Sequence, residues 1–174
     1  TNIVKILNLF VIKKTLQTYF IIEYLEGIEL LKYLEEKKKL SEAEALEFFK
    51  QIISAIDYCH CQKIIHRDLK LENIMRVSST SNEIKIVDFG IAGLFAGRKS
   101  EVTRAGSLLY MPPEVLSRKS VNASPAMDIW SVGCILYALV IGNLPFTDKN
   151  EEKLIKKIIE SDFEIPKAMK LSNE

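Results

Sequence analysis

Two short apolar runs, residues 74–77 and 84–87, flank the polar stretch Ser78-Ser79-Thr80-Ser81-Asn82-Glu83, and this pattern constrains the fold more than any other. Short aliphatic runs on either side of a polar connection form an antiparallel hairpin. If Ile74 pairs with Val87, then Val77 pairs with Ile84, and Asn73 and Asp88 face each other at the open end. Opposed cross-strand positions stand about 5 Å apart at Cβ. At that separation an amide oxygen and a carboxylate can both reach one hard cation. The run Ile65-His66-Arg67-Asp68-Leu69-Lys70-Leu71-Glu72 enters the same mouth from upstream, and Phe89-Gly90 leaves it downstream. An acid, Asp68, and a cation, Lys70, thereby join two potential metal ligands in one cleft.

A length of 174 residues suits one domain. The chain begins at Thr1 on a mid-domain apolar run, so it is expected to be a piece of something longer. A net charge of +1 with 48% apolar residues argues for a globular core and against a nucleic-acid binder driven by charge. Cys59, Cys61 and Cys134 are too few and too badly spaced for a disulfide framework, which points to an intracellular protein, cytoplasmic or nuclear. The longest apolar stretch, 129–141, falls short of the roughly 20 residues of a bilayer span. It is expected to be a buried helix, with no membrane span. Asn122-Ala123-Ser124 fits a glycosylation sequon, but Pro125 follows it and nothing indicates secretion. Cys59-His60-Cys61 invites a zinc reading; adjacent helical residues point in different directions, however, and no fourth ligand is apparent.

Residues 18–23 are strand-like, and Leu25-Glu26-Gly27 breaks the strand. A helix follows from Glu29 through Leu30, Leu31 and Leu34, and ends in Lys37-Lys38-Lys39, which complement its dipole as a solvated face. Ser41 with Glu44 predicts a capping box, and Leu46, Phe49, Ile53 and Ile56 predict an amphipathic helix over 42–60. Ile64-Ile65 reads as a short strand. Residues 93–106 read as a mobile loop ordered by modification. Met111-Pro112-Pro113-Glu114 predicts a rigid turn, Val115-Leu116 a short helix, and Asp128 the start of the buried one. Gly142-Asn143-Leu144-Pro145 stops that helix, and an exposed helix follows over 151–161.

His66-Arg67-Asp68 with Asn73, Asp88-Phe89-Gly90, Pro113-Glu114 and Asp128-Ile129-Trp130-Ser131-Val132-Gly133 form an ordered set that resembles the eukaryotic protein-kinase signature, serine/threonine type, over almost the whole chain. Ser54-Ala55-Ile56-Asp57-Tyr58-Cys59-His60 and Gly142-Asn143-Leu144-Pro145-Phe146 are similar to the calcium/calmodulin-dependent and AMP-activated kinase group. The resemblance implies an α+β, protein-kinase-like fold: 1–23 the end of the small β lobe, 24–28 the hinge, 29–174 the helical C-terminal lobe without its last helices. It also implies ATP and Mg2+, and transfer of the γ-phosphoryl group to a Ser or Thr hydroxyl of protein substrates.

By the same resemblance, Asp68 is the catalytic base, Lys70 offsets charge on the migrating phosphoryl group, and Asn73 and Asp88 hold magnesium. Ile22 stands at the gatekeeper position, Glu23 and Leu25 offer backbone groups to adenine, and Met75 forms its floor. Glu29 touches ribose or a substrate arginine, and Lys70, Glu72, Asn73 and Asp88 complete the nucleotide-binding set. Ser107 bonds Asp68 and Lys70. His66 stacks on Phe89, with Ile6 as its counterpart in the small lobe, and Asp128 accepts backbone N–H groups of the His66-Arg67 turn. Arg67 pairs with a phosphate placed by an upstream kinase on Thr103, with Ser100 the lesser candidate. Ala138 stands where kinases that demand two arginines carry an acid.

There are departures from the family pattern. No Gly-x-Gly-x-x-Gly cradle occurs, and Lys5 stands too close to the hinge to be the phosphate-clamping lysine. Glu114 has no arginine partner in these residues, and Pro112 replaces a small alanine. The isolated chain is therefore expected to be a feeble catalyst. The rival reading is a pseudokinase or scaffold, which has no chemical need for Asp68, Lys70, Asn73 and Asp88 together.

Overall fold

A computed structural model describes residues 2–95, 101–102, 106–117, 121–166 and 172. An exposed ribbon of β1 (Ile6–Ile12) and β2 (Gln17–Ile22) is paired antiparallel with Leu9 opposite Phe20. A helical body follows: α1 (Leu30–Lys37), α2 (Glu42–Cys61), α3 (Pro113–Ser117), α4 (Pro125–Ile141) and α5 (Glu151–Glu160). Short strands stitch the body together: β3 (Ile64–Ile65) with β6 (Gly93–Leu94), β4 (Ile74–Arg76) with β5 (Ile84–Ile86), and β7 (Glu101–Val102) with β8 (Val121–Asn122).

Local chemistry sets the helix ends. Ser41 Oγ accepts the Glu44 N–H at 3.2 Å and starts α2. The expected box is only half closed, because the Glu44 carboxylate accepts from the Tyr33 hydroxyl at 2.5 Å. The buried face of α2 also lies one residue away from expectation. Ala45, Phe48, Ile52, Ile56 and Cys59 are buried, while Leu46 is half exposed. Pro125 opens α4 three residues before the expected start, in the first-turn position where its missing N–H costs nothing. Gly142 closes it at φ 92°, donating to the Ala138 carbonyl at 2.8 Å. A Cβ on Gly142 would stand 2.1 Å from the Lys38 carbonyl oxygen, so the ends of α1 and α4 approach as only glycine permits.

The β4–β5 hairpin pairs Ile74 with Ile86 and Arg76 with Ile84, one position away from the expected Ile74–Val87 register. Opposed residues share a face of the sheet, and Ile74, Ile84 and Ile86 are each 0% exposed. Only pairing of even with even positions places all of them in the core. Consequently Asn73 lies across from Val87, whose N–H donates to the Asn73 carbonyl at 2.9 Å, and Asp88 sits one step further out.

Residues 2–4 run alongside β5. Ile86 N–H donates to the Asn2 carbonyl at 2.9 Å, and Val4 N–H to the Ile86 carbonyl at 3.0 Å. The Asn2 amide reaches Gln51 on α2 and the Ile84 carbonyl, each at 2.8 Å. The stretch expected as a mobile loop, 93–106, holds two paired strands among its described residues, Gly93–Leu94 on β3 and Glu101–Val102 on β8. Thr103 and Ser100 lie outside the described residues.

Candidate active site

The segment from β3 to β4 is shaped by a buried carboxylate. Asp128, 0% exposed in the first turn of α4, accepts the His66 N–H at 2.9 Å and the Arg67 N–H at 2.9 Å. That grip holds Arg67 at φ 68°, a left-handed conformation that persists in an L-residue only when its surroundings dictate it. The Arg67 guanidinium then turns to the Ile91 and Ala92 carbonyls, at 2.5 and 3.2 Å. His66 is buried, its ring 4.6 Å from that of Phe89. Its Nε2 lies 3.2 Å from the Val87 carbonyl and its Nδ1 takes the Asp68 N–H at 3.3 Å, which makes the ring a neutral tautomer protonated at Nε2. Burial holds its pKa below the ordinary value. Its expected counterpart Ile6 is 62% exposed on the ribbon; Ile3, drawn in beside β5, is the residue that packs on the core.

Asp68 stands at the centre of a polar cluster. Its Oδ2 lies 3.1 Å from Lys70 Nζ and 3.2 Å from Asn73 Nδ2, while its Oδ1 accepts from Ser107 N–H at 3.0 Å and Ser107 Oγ at 3.2 Å. Lys70 Nζ also donates to Ser107 Oγ at 3.0 Å. Burial works to raise the Asp68 pKa, but Lys70 and Ser107 outweigh it and hold the carboxyl below its ordinary value. The acid is therefore ionised near neutrality and fixed by donors on both oxygens. Gly106, at φ 106°, lets the Ser107 strand pass close to the Arg67 carbonyl, where a Cβ would stand only 3.0 Å away.

Asn73 directs its amide nitrogen onto the Asp68 carbonyl at 2.9 Å as well, leaving its oxygen for another partner. Asp88 is exposed at φ 60°, with Oδ1 accepting the Gly90 N–H at 3.1 Å. These hard oxygens fit a magnesium ion completed by phosphate and water.

The other expected nucleotide residues lie around the junction of ribbon and body. Ile22 ends β2 half exposed. Residues 24–28 run beside β4: the Glu26 and Gly27 N–H groups donate to the Val77 carbonyl at 3.1 and 3.3 Å, and Arg76 N–H donates to the Ile28 carbonyl at 2.9 Å. Among the described residues no backbone hydrogen bond is formed by Leu25. Glu29 bridges to Met75 through the backbone, and its carboxylate pairs with Lys32 at 3.1 Å. Glu72 accepts from the Tyr110 hydroxyl at 3.4 Å. Ala138 lies in the wall of a cavity of about 500 Å³ with Leu31, Leu34, Leu71, Leu144 and Glu35.

Two residues were missed by the sequence reading. Lys85, 7% exposed, pairs with Glu23 at 2.8 Å, and Glu23 also accepts the Lys5 N–H at 2.7 Å. The only local signal was a lysine in an otherwise apolar strand. His60 lies 2.8 Å from Asp128 Oδ2. No group of His, Cys, Asp and Glu suited to a metal occurs among the described residues, and Cys59 is buried while Cys61 is exposed. No helix of the described residues is long and apolar enough to cross a membrane.

The family model described as "Protein kinase domain" matches residues 1–174. The chain is 40% identical over 166 residues to "Probable serine/threonine-protein kinase HSL1" of Saccharomyces cerevisiae, covering 95% of this chain and 11% of that one. It is 41% identical over 165 residues to "Carbon catabolite-derepressing protein kinase" of Secale cereale, covering 95% and 32%. It is 45% identical over 148 residues to "SNF1-related protein kinase catalytic subunit alpha KIN12" of Arabidopsis thaliana, covering 85% and 29%. The chain thus spans a third or less of the length of these curated relatives.

Proposed function

This chain belongs to the protein kinase family, and we propose that it carries the phosphotransfer centre of a protein serine/threonine kinase. The observation that carries the reading is the cluster in which Asp68 is ionised and oriented by Lys70, Asn73 and Ser107. In that role Asp68 accepts a hydrogen bond from the incoming Ser or Thr hydroxyl and takes its proton as the bond to the γ-phosphorus forms and the bond from that phosphorus to the β–γ bridging oxygen breaks, with ADP leaving. Lys70, held between Asp68 and Ser107, presents positive charge to the transferring group. Asn73 and Asp88 would hold magnesium, which when bound neutralises charge on the phosphate oxygens.

Glu23 and Leu25 present backbone groups to adenine, Ile22 and Met75 bound its pocket, and Glu29 and Glu72 flank the ribose and the substrate path. In this reading 1–23 end the small lobe, 24–28 are the hinge and 29–174 the larger lobe. Arg67, now bonded to the Ile91 and Ala92 carbonyls, is the donor that pairs with a phosphate placed on Thr103 by an upstream kinase. Free thiols and an ATP requirement fit an intracellular protein.

The full-length protein, incubated with labelled ATP, magnesium and a serine peptide, is expected to label the peptide. Asp68→Asn is expected to abolish labelling while ATP binding persists. Labelling that survives this substitution undiminished overturns the assignment.

A further inference from the structure

We infer that Arg76 is a positioning residue for the adenine slot between the hinge and Met75, fixing through Tyr33 the strand that carries both; the inference rests on the nucleotide-binding reading above. β4 bears residues 26–29 along one edge. The Glu26 and Gly27 N–H groups donate to the Val77 carbonyl at 3.1 and 3.3 Å, Arg76 N–H donates to the Ile28 carbonyl at 2.9 Å, and Glu29 bridges to Met75. The two backbones touch, since a Cβ on Gly27 would stand 2.3 Å from the Arg76 carbonyl oxygen. Side chains alternate along a strand, so Met75 presents one face of β4 while Ile74 and Arg76 turn the other to the core, at 0% and 6% exposure. A guanidinium thus stands where Ile74, Ile84 and Ile86 are wholly buried, and a buried cation persists only with partners that offset its charge.

Those partners are directional. Arg76 Nη2 donates to the Ser79 and Ser81 carbonyls at 3.2 and 3.0 Å, and Nε to the Ser81 carbonyl at 3.2 Å, so the guanidinium fork closes the β4–β5 loop onto its own strand. Its Cζ lies 4.2 Å from the centre of the Tyr33 ring, a cation–π contact. The Tyr33 hydroxyl donates to Glu44 at 2.5 Å, and a phenol polarised by a carboxylate offers a more electron-rich face. Glu44 on α2 therefore acts on the cation through the ring. Tyr33 belongs to α1, the helix into which the hinge leads, so the contact holds that helix and the strand beneath the hinge in one relation. The Asp68 cluster is held separately, through Asp128 and Ser107. Loss of the Arg76–Tyr33 contact should accordingly appear in nucleotide affinity, with turnover and peptide affinity retained.

The test measures ATP binding by calorimetry, together with steady-state kinetics, in the full-length protein carrying Arg76→Leu, Tyr33→Leu or both. Each single substitution should weaken ATP binding about fivefold, with kcat and the peptide KM within about twofold of wild type. The double variant should bind ATP no more weakly than either single one, because both substitutions remove the same contact. Tyr33→Phe, which keeps the ring face, should lose about twofold or less. Unchanged ATP affinity in both single variants overturns the proposal, as do losses that multiply in the double variant, or losses in kcat and peptide affinity that match the loss for ATP. If one of the leucine variants does not fold, the other decides by the same split between ATP and peptide. If the wild-type protein binds no ATP or transfers no phosphate, the phosphotransfer reading fails. Hydrogen exchange at the Glu26, Gly27 and Arg76 amides, measured without nucleotide, then still decides whether Arg76 holds the hinge: quickened exchange in Arg76→Leu supports the proposal, and unchanged exchange overturns it.

Discussion

Asn73 points its amide nitrogen at Asp68, 2.9 Å from the backbone carbonyl and 3.2 Å from the carboxylate Oδ2. The acid therefore fixes which end of the amide faces outward, and the proposed base and the proposed metal ligand are oriented as one unit.

Chelation of magnesium by EDTA should stop phosphate transfer. Asn73→Ala should raise the magnesium concentration needed for half-maximal rate by about tenfold or more. A titration of initial rate against magnesium checks both, and superimposable curves for the variant and wild type would remove Asn73 from the metal site.

Asp68→Asn should lower kcat by at least about 100-fold. Ser107→Ala removes one donor to Asp68 Oδ1 and the acceptor of Lys70, and should cost about tenfold in kcat. Ser107→Thr keeps the hydroxyl and should recover the rate, which steady-state kinetics on a peptide substrate will show.

Gly142→Ala should be strongly destabilising, by about 3 kcal/mol, because it adds a Cβ at φ 92° against the Lys38 carbonyl. Gly27→Ala meets the Arg76 carbonyl oxygen at 2.3 Å and should behave similarly. Urea unfolding of each variant gives the value directly, and wild-type midpoints would refute the close approach.

His66 should make stability fall on mild acidification. Burial lowers its pKa in the folded state from the ordinary 6.5, so the unfolded chain binds the proton more readily. The stabilising difference is complete above pH 6.5 and is lost as the pH falls from there through the folded value. The lowered carboxyl of Asp68 acts in the same direction only in the more acidic range around its ordinary 3.8. The urea midpoint should therefore decline as the pH falls below 6.5, and His66→Phe should flatten that decline. A midpoint that rises on acidification would contradict the sign.

The helices were legible in the sequence because their ends are local events: Ser41 caps α2, Gly142 closes α4 and Asn150 caps α5 with a 3.0 Å bond to Lys153 N–H. The acid cluster was legible because its members belong to a spaced motif. The hairpin register was not, since it is decided by which face meets the core and by Asn2 and Gln51, which reach β5 from distant parts of the chain. His60 escaped because its partner lies 68 positions away and the flanking cysteines suggested a different chemistry. The outward slip of Asp88 relative to Asn73 follows from the same register, and no local pattern could have shown it.

Residues 2–4, laid along β5 and pinned to α2 through Gln51, belong mechanically to the helical body although they lead directly into the ribbon. The ribbon begins just after Val4, where Lys5 and Glu23 exchange backbone and side-chain bonds. Ile86 is bonded on both sides of its peptide to Asn2 and Val4, and Lys85 beside it pairs with Glu23, so the root of the ribbon and the strand that leads to Asp88 share one set of anchors.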